Sequence, residues 1–155
     1  MTNMAEKTLV SNKRARREYF VEETFEAGLV LTGSEIKSIR AGRANLQDSY
    51  VTIRDGEPWL VNTHVAPYKQ ATHENHEPRR DRKLLLHRYQ IGRLSGKVQA
   101  KGYTIIPLRI YLKDNRAKVE IALARGKKLY DKRADLAKRQ AQRDIERAMR
   151  RTRED

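Results

Sequence analysis

Cysteine is absent from the 155 residues. Its absence excludes a disulfide framework, a thiolate nucleophile and any cysteine metal ligand. Also missing is an apolar run near the roughly 20 residues that a membrane-spanning helix requires. The opening stretch Met1 to Val10 is polar and mixed, without the apolar centre of a secretory signal. Negative charge is scarce: 20 Asp and Glu face 34 Lys and Arg, a formal net charge of +14. Such a field attracts nucleic acid or an anionic surface, and a cytoplasmic nucleic-acid binder is the expectation. Glycine and proline also stop after Gly126, so a basic segment runs uninterrupted from Lys127 to Asp155.

What is present reads as one domain. A body of about 125 residues buries roughly two-thirds of its unfolded surface, enough for a single core. The expected division is a flexible N-terminus over 1–9, a folded body over 10–126 and a basic tail over 127–155. Within the body, the aromatic and β-branched run Tyr19–Glu26 predicts a strand that bends at Ala27-Gly28 and continues extended through Leu31. Gly33–Gly42 predicts a short helix with Ser34 as N-cap and Gly42 just past its end. Two hairpins follow from turn signals: Ser49–Arg54 returns through Asp55-Gly56, and Thr104–Lys113 returns through Asp114-Asn115 to Arg116–Arg125. Residues 67–82 read as an exposed loop. Lys83–Lys101 reads as helical, weakened by Gly92 and Gly96. Short strands with a helix before the closing pair point to a small barrel rather than a βαβ sheet.

The tail has apolar residues at Ala137, Ala141, Ile145, Ala148 and Met149, a narrow stripe at helical spacing amid arginine and lysine. That stripe buries too little to dock firmly. The expectation is a tail disordered when free and helical along an RNA surface, in preference to a solvated helix folded on the body.

Several clusters could contact RNA. The run Asn12-Lys13-Arg14-Ala15-Arg16-Arg17 leads straight into a strand, which holds its cations near a fixed surface where they can grip phosphates. Asn12 adds a directional hydrogen bond. Glu26 would have to accept from a base, since carboxylates are disfavoured beside phosphates; spacing alone leaves it an ordinary surface glutamate. Arg79-Arg80-Asp81-Arg82-Lys83 precedes Leu84-Leu85-Leu86, and a helix cannot bury three consecutive leucines on one face. One of them is therefore displayed to an unstacked base, or else the cluster is a basic loop entering a core helix. Tyr130 lies in a cationic stretch and either stacks on a base or packs on the body.

Signals for catalysis are poor. Gly92–Val98 is one residue short of a phosphate-binding loop and has Val98 where Ser or Thr would hold magnesium. His73 and His76 with Glu74 and Glu77 form no second ligand cluster. No serine or histidine stands in a nucleophile motif. No enzyme activity, metal or cofactor is expected.

Taken in order, several motifs resemble one family. They are Asn12-Lys13-Arg14-Ala15-Arg16, Phe25-Glu26-Ala27-Gly28, Gly33–Arg40, Asp48-Ser49-Tyr50, Arg82-Lys83-Leu84-Leu85-Leu86, Gly102-Tyr103-Thr104, Gly126-Lys127-Lys128 and Asp131-Lys132-Arg133. Together they resemble small protein B, the SsrA-binding (tmRNA-binding) proteins of bacteria, over nearly the whole chain from Val10. At 148 the chain has alanine beside Met149, where the resemblance leads one to expect a bulkier residue.

The resemblance implies an antiparallel barrel of the oligonucleotide-binding (OB) type, of about six strands with about three helices, and a role in trans-translation. It implies that Asn12, Glu26 and Leu85 contact tmRNA and that Asp131, Lys132 and Arg133 act in the ribosome. The expected tmRNA surface is then Asn12, Lys13, Arg14, Arg17, Glu26, Arg82, Lys83 and Leu85. The expected tail contacts with the decoding centre and mRNA channel of the small subunit are Lys127, Lys128, Tyr130, Asp131, Lys132, Arg133 and Met149. The expected protein is monomeric and does not bind membranes. The alternative is a general ribosome-associated RNA binder or RNA chaperone of the same fold.

Overall fold

The computed structural model describes residues 6–69, 75–99, 102–127 and 129–154, with the backbone alone for 129–136 and 152–154. In chain order the elements are β1 (Lys7–Ser11), α1 (Ala15–Glu18), β2 (Tyr19–Leu29), α2 (Gly33–Arg40), β3 (Ala44–Asn45), β4 (Tyr50–Arg54) and β5 (Glu57–Val61). They continue with β6 (His64–Val65), β7 (Arg82–Leu85), α3 (Arg88–Val98), β8 (Tyr103–Lys113), β9 (Arg116–Gly126) and α4 (Leu129–Glu154). Strands β8, β4, β5, β7, β2 and β9 pair antiparallel in that order, and β9 pairs back onto β8. The sheet is a closed six-stranded barrel, as expected. Closure leaves no long unpaired edge.

Alternation decides which side chains fill the interior. Val119, Ile121 and Leu123 of β9, Phe25, Ala27 and Leu29 of β2, and Ile105 and Ile110 of β8 form one buried cluster. Ile39 of α2 and Leu94 of α3 join it. The intervening residues of β8 and β9 face outward. Ile106, Leu108, Ala122 and Ala124 make a second small cluster capped by Ala15 of α1. Both hairpin turns expected from sequence are present. Asp55-Gly56 and Asp114-Asn115 each place two successive residues at positive φ, the geometry that matches the twist of the flanking strands.

Four local expectations need correction. Lys7–Leu9, assigned to a flexible N-terminus, belong to β1, which pairs with β8 along the edge that β4 uses further on. No pattern in five residues announces this strand; the open edge of β8 creates it. Strand β2 does not bend at Gly28 but runs on to Leu29, and its irregularity is a bulge between Val21 and Glu23.

The cap of α2 is Thr32, not Ser34. Thr32 Oγ1 accepts from the Glu35 N–H at 3.4 Å, and Glu35 Oε1 accepts from the Thr32 N–H at 2.8 Å, a reciprocal capping box. The other end was legible. Gly42 has φ +73°, and the N–H groups of Gly42 and Arg43 reach Ile39 O and Ser38 O in a Schellman arrangement.

The fourth correction concerns residues 82–101. Arg82–Leu85 is a strand, and the helix starts only at Arg88. Arg82 and Leu84 point inward and Leu85 outward, so a period of two accommodates the leucine run. Gly92 and Gly96 do not split α3; a Cβ at either would meet open space. The tail, expected to be disordered when free, is the helix α4, and its described side chains from Ala137 to Arg151 are all exposed.

One buried ionic node ties these parts together. Glu35 and Arg82 are both fully buried, with Arg82 Nε 2.5 Å from Glu35 Oε2. Arg80 Nη2 donates to Glu35 Oε1 at 2.6 Å. The rest of the Arg82 guanidinium donates to Thr63 O and Pro78 O at 2.7 and 3.1 Å. Burial alone would raise the Glu35 pKa. The bonds from Arg80 and the Thr32 N–H, with the Arg82 charge, outweigh it and hold the carboxyl at about 2.

Removing one partner strands the other charge in the interior. Glu35→Ala is therefore expected to cost about 3–5 kcal/mol in urea unfolding, whereas Glu35→Leu with Arg82→Met costs much less than the sum of the two single changes. Because the folded pKa lies below the ordinary 4.5, the carboxylate's contribution is complete above pH 4.5 and fades as the pH falls towards 2. The wild-type unfolding midpoint should drop across that window more than that of the double variant.

Candidate RNA-binding surface

Strand alternation places Glu26 on the outside of β2, between the inward Phe25 and Ala27. Its partner across the ladder is Glu120, which in turn faces Arg109. Tyr111 Oη donates to Glu26 Oε2 at 2.5 Å, and Lys113 Nζ adds a 3.3 Å contact to the same oxygen. The Tyr111 bond is the main cause that lowers the Glu26 pKa, opposed by partial burial and helped by Lys113 and Lys118. Glu26 is thus a held anion. Neither bond engages its Oε1, which is left to accept from a donor outside the barrel. Burial and the same bond push the Tyr111 phenol well up from its ordinary value.

Arg109 stacks over the Tyr111 ring at 4.0 Å and also reaches Glu6, Glu120 and Thr8. Neither Tyr111 nor Arg109 was singled out from sequence. Both sit at outward positions of a long strand, and only the pairing of β2 with β9 and β9 with β8 brings them to Glu26.

Leu85 is 56% exposed at the end of β7, directly opposite Gly28 of β2. Gly28 lies two residues beyond Glu26, on the same outer side of its strand. A Cβ at Gly28 would sit 3.1 Å from the Leu85 Cβ, tighter than most real contacts, so the leucine would have to give by a few tenths of an ångström if glycine were replaced there. The structure therefore brings Glu26 and Leu85 onto one patch. Lys83 points outward from the same strand, with a 3.2 Å ion pair to Glu57.

Arg82 is a correction. It was expected to face RNA, but it points into the barrel and all its charge is taken up by the buried node.

The basic run is divided between loop and helix. The Asn12 N–H donates to Leu108 O at 2.8 Å, and its Nδ2 donates to Pro107 O and Leu46 O at 3.0 and 3.3 Å. The side chain clamps the β8 bulge, where the edge of that strand passes from β1 to β4. Lys13, Arg14 and Arg17 are exposed around it and on α1, which lies on the outer face of β8, β9 and β2.

At the exit from the barrel, the Lys127 N–H donates to Glu18 O at 2.8 Å, and its ammonium lies 4.6 Å from the Phe20 ring centre. Lys128 lies outside the described residues. Tyr130, Asp131, Lys132 and Arg133 fall in the first turns of α4, and their side chains are likewise outside the description. Met149 is 57% exposed and Ile145 50%.

His76 is buried and braced between Ser34 Oγ and Val65 O at 2.8 and 2.9 Å, while His73 and Glu74 lie outside the described residues. Among the described residues no three His, Asp or Glu side chains are placed to hold a metal, and no helix is long and apolar enough to cross a membrane.

A closed six-stranded barrel with cationic loops on its outside and a basic helical extension defines the class: an RNA-binding module of the OB type. The SmpB protein family model matches residues 9–151, and the chain belongs to that family. It is 62% identical over 148 residues to an SsrA-binding protein of Roseiflexus sp. (strain RS-1), covering 95% of this chain and 94% of that one. It is 61% identical over 150 residues to an SsrA-binding protein of Desulforudis audaxviator (strain MP104C), covering 97% and 98%. A solved chain described as "tmRNA-SmpB: a journey to the center of the bacterial ribosome" is similar with a TM-score of 0.66 and 48% identity, over 77% of this chain and 84% of that one.

Tyr111→Phe removes the bond that lowers the Glu26 pKa most. In a carboxyl-carbon NMR titration, Glu26 should then titrate closer to the ordinary 4.5. An unchanged midpoint would assign the lowering to the lysines instead.

Proposed function

We propose that this chain binds the tRNA-like domain of tmRNA and delivers it to ribosomes stalled without a codon in the decoding site. The observation that carries the reading is the outer patch on which Glu26, fixed as an anion, and Leu85, paired opposite Gly28, lie two residues apart in register. An anionic acceptor beside an exposed leucine suits an unpaired base rather than a phosphate. The exposed cations Lys13, Arg14 and Arg17 supply the phosphate contacts. Family membership supports the same partner.

The tail acts in a second step. A tRNA-like domain without an anticodon arm leaves a gap where codon pairing is read, and a rigid basic barrel fills it. Helix α4 then lies along the phosphate-lined wall of the mRNA channel of the small subunit, which message would otherwise occupy. Lys127, Lys128, Tyr130, Asp131, Lys132, Arg133 and Met149 are the residues proposed to act there. Tail and message compete for one path, so docking of the tail reports an empty channel. The protein acts in the cytoplasm as a monomer, makes and breaks no bond, and needs no cofactor.

Two measurements test this. In a competition titration at moderate salt, tmRNA should displace elongator tRNA; equal affinities that vanish together as salt rises would indicate a general RNA chaperone. Truncation after Gly126, or alanine at Asp131, Lys132 and Arg133, should spare tmRNA affinity and abolish peptide tagging on stalled ribosomes. Parallel loss of both activities would refute the division of labour.

A further inference from the structure

A pair of rings beside Leu85 is left without an internal role. Leu86 is half-buried against the core, and the residues on either side of it, Leu85 and His87, are both exposed. The His87 ring lies over Tyr89 with centroids 5.6 Å apart and planes within 9° of parallel. Tyr89 is 73% exposed, the most exposed large hydrophobic side chain among the described residues. The pair is fixed from behind: Gln90 Oε1 accepts from the His87 N–H at 3.0 Å, and Leu94 one turn on anchors α3 in the core. A preordered aromatic face at the surface is a costly arrangement for a soluble protein unless something covers it.

Charge identifies what covers it. No Asp or Glu occurs between Asp81 and Asp114, the carboxylate of Glu23 that reaches α3 is paired with Arg93 at 2.9 Å, and Arg88 between the rings is exposed. A protein groove of ordinary acidity or basicity has no special fit to this patch. A nucleotide does, because its base has a flat π-face and its phosphate is anionic.

We propose that His87 and Tyr89 form a stacking platform for an unpaired base of the bound RNA, extending the Leu85 patch along α3. The inference rests on the RNA-binding reading above and adds residues which that reading does not use. Base stacking on an aromatic side chain is sequence-tolerant and releases no counterions, so its loss has a signature distinct from the loss of a phosphate contact.

The test is titration of full-length protein with an in-vitro-transcribed tRNA-like domain of tmRNA at several salt concentrations. Tyr89→Ala should weaken binding roughly 5- to 100-fold with the salt slope unchanged. Tyr89→Leu should behave like alanine, Tyr89→Trp should restore or exceed wild-type affinity, and Arg88→Ala should reduce the salt slope. Far-UV circular dichroism of each variant checks that the fold is kept.

Wild-type affinity in Tyr89→Ala overturns the proposal, and so does a leucine variant that binds like wild type, since apolar contact would then suffice. If Tyr89→Ala keeps RNA affinity but loses tagging, the rings face a protein and the proposal fails. Failure of the wild-type protein to prefer this RNA over elongator tRNA would instead refute the functional reading itself.

Discussion

The Glu35–Arg82 pair is the constraint on which the placement of β7 and its outward residues depends. It joins the first turn of α2 to the inner side of β7, and through the remaining Arg82 donors it also holds Thr63 and the loop carbonyl of Pro78. Two opposite charges buried in a small barrel are a poor source of net stability, because their desolvation cancels much of their attraction. What they provide is a unique position for a four-residue strand that has few ladder bonds of its own. A slip of one residue in β7 would bring Lys83 and Leu85 inward and expose Leu84. With Arg82 locked onto Glu35, that slip would also strand a charge. Leu85 is therefore kept outward, opposite Gly28 and two residues in register from Glu26.

A second layer of order comes from the outer face of β8. Arg109 lies over the Tyr111 ring, Tyr111 donates to Glu26, and Lys113 closes on the same carboxylate oxygen. Glu26, Arg109 and Lys113 are partly exposed, whereas Tyr111 is buried and gives Glu26 and Arg109 a fixed partner. Linked, they fix which oxygen of Glu26 is occupied and which faces out. The effect resembles a supported binding site, where orientation rather than burial sets specificity.

Local chemistry made much of the fold legible. The Asp55-Gly56 and Asp114-Asn115 turns, the Gly42 helix end and the alternation in β9 each need only neighbours in sequence. The misreadings of β1 and β7 share one cause. Strand β1 exists because β8 offers an edge, and β7 is a strand because Glu35, 47 residues earlier, captures Arg82. Neither partner is visible from within the segment, and three consecutive leucines fit a helix as well as a strand when read alone. The Thr32–Glu35 capping box was there to be read, but Ser34 is an equally good cap by type. Within the site, Glu26 was indistinguishable from a surface glutamate by spacing, and family resemblance alone marked it out. Tyr111, Arg109 and the His87–Tyr89 stack required the sheet register and the start of α3, which no motif encodes.

The tail follows a different logic from the barrel. Helix α4 has 26 residues, roughly 39 Å at 1.5 Å per residue, and holds itself together with local bonds such as Gln140 to Asp144 and Gln142 to Glu146. Pairs of this kind contribute only about 0.2–0.5 kcal/mol each. Ile145 and Met149 share one face and are about half exposed, so covering them would add on the order of 1–3 kcal/mol, half or so of what two fully buried side chains contribute. Both contributions are small, a kcal/mol or so from the two local pairs and on the order of 1–3 kcal/mol from covering the apolar residues. An apolar stripe this weak cannot hold the tail on a surface that lacks matching charge. Only a wall that supplies both a shallow apolar contact and a run of phosphates would make the bound helix clearly favoured, and occupation of that wall by another strand would remove both at once.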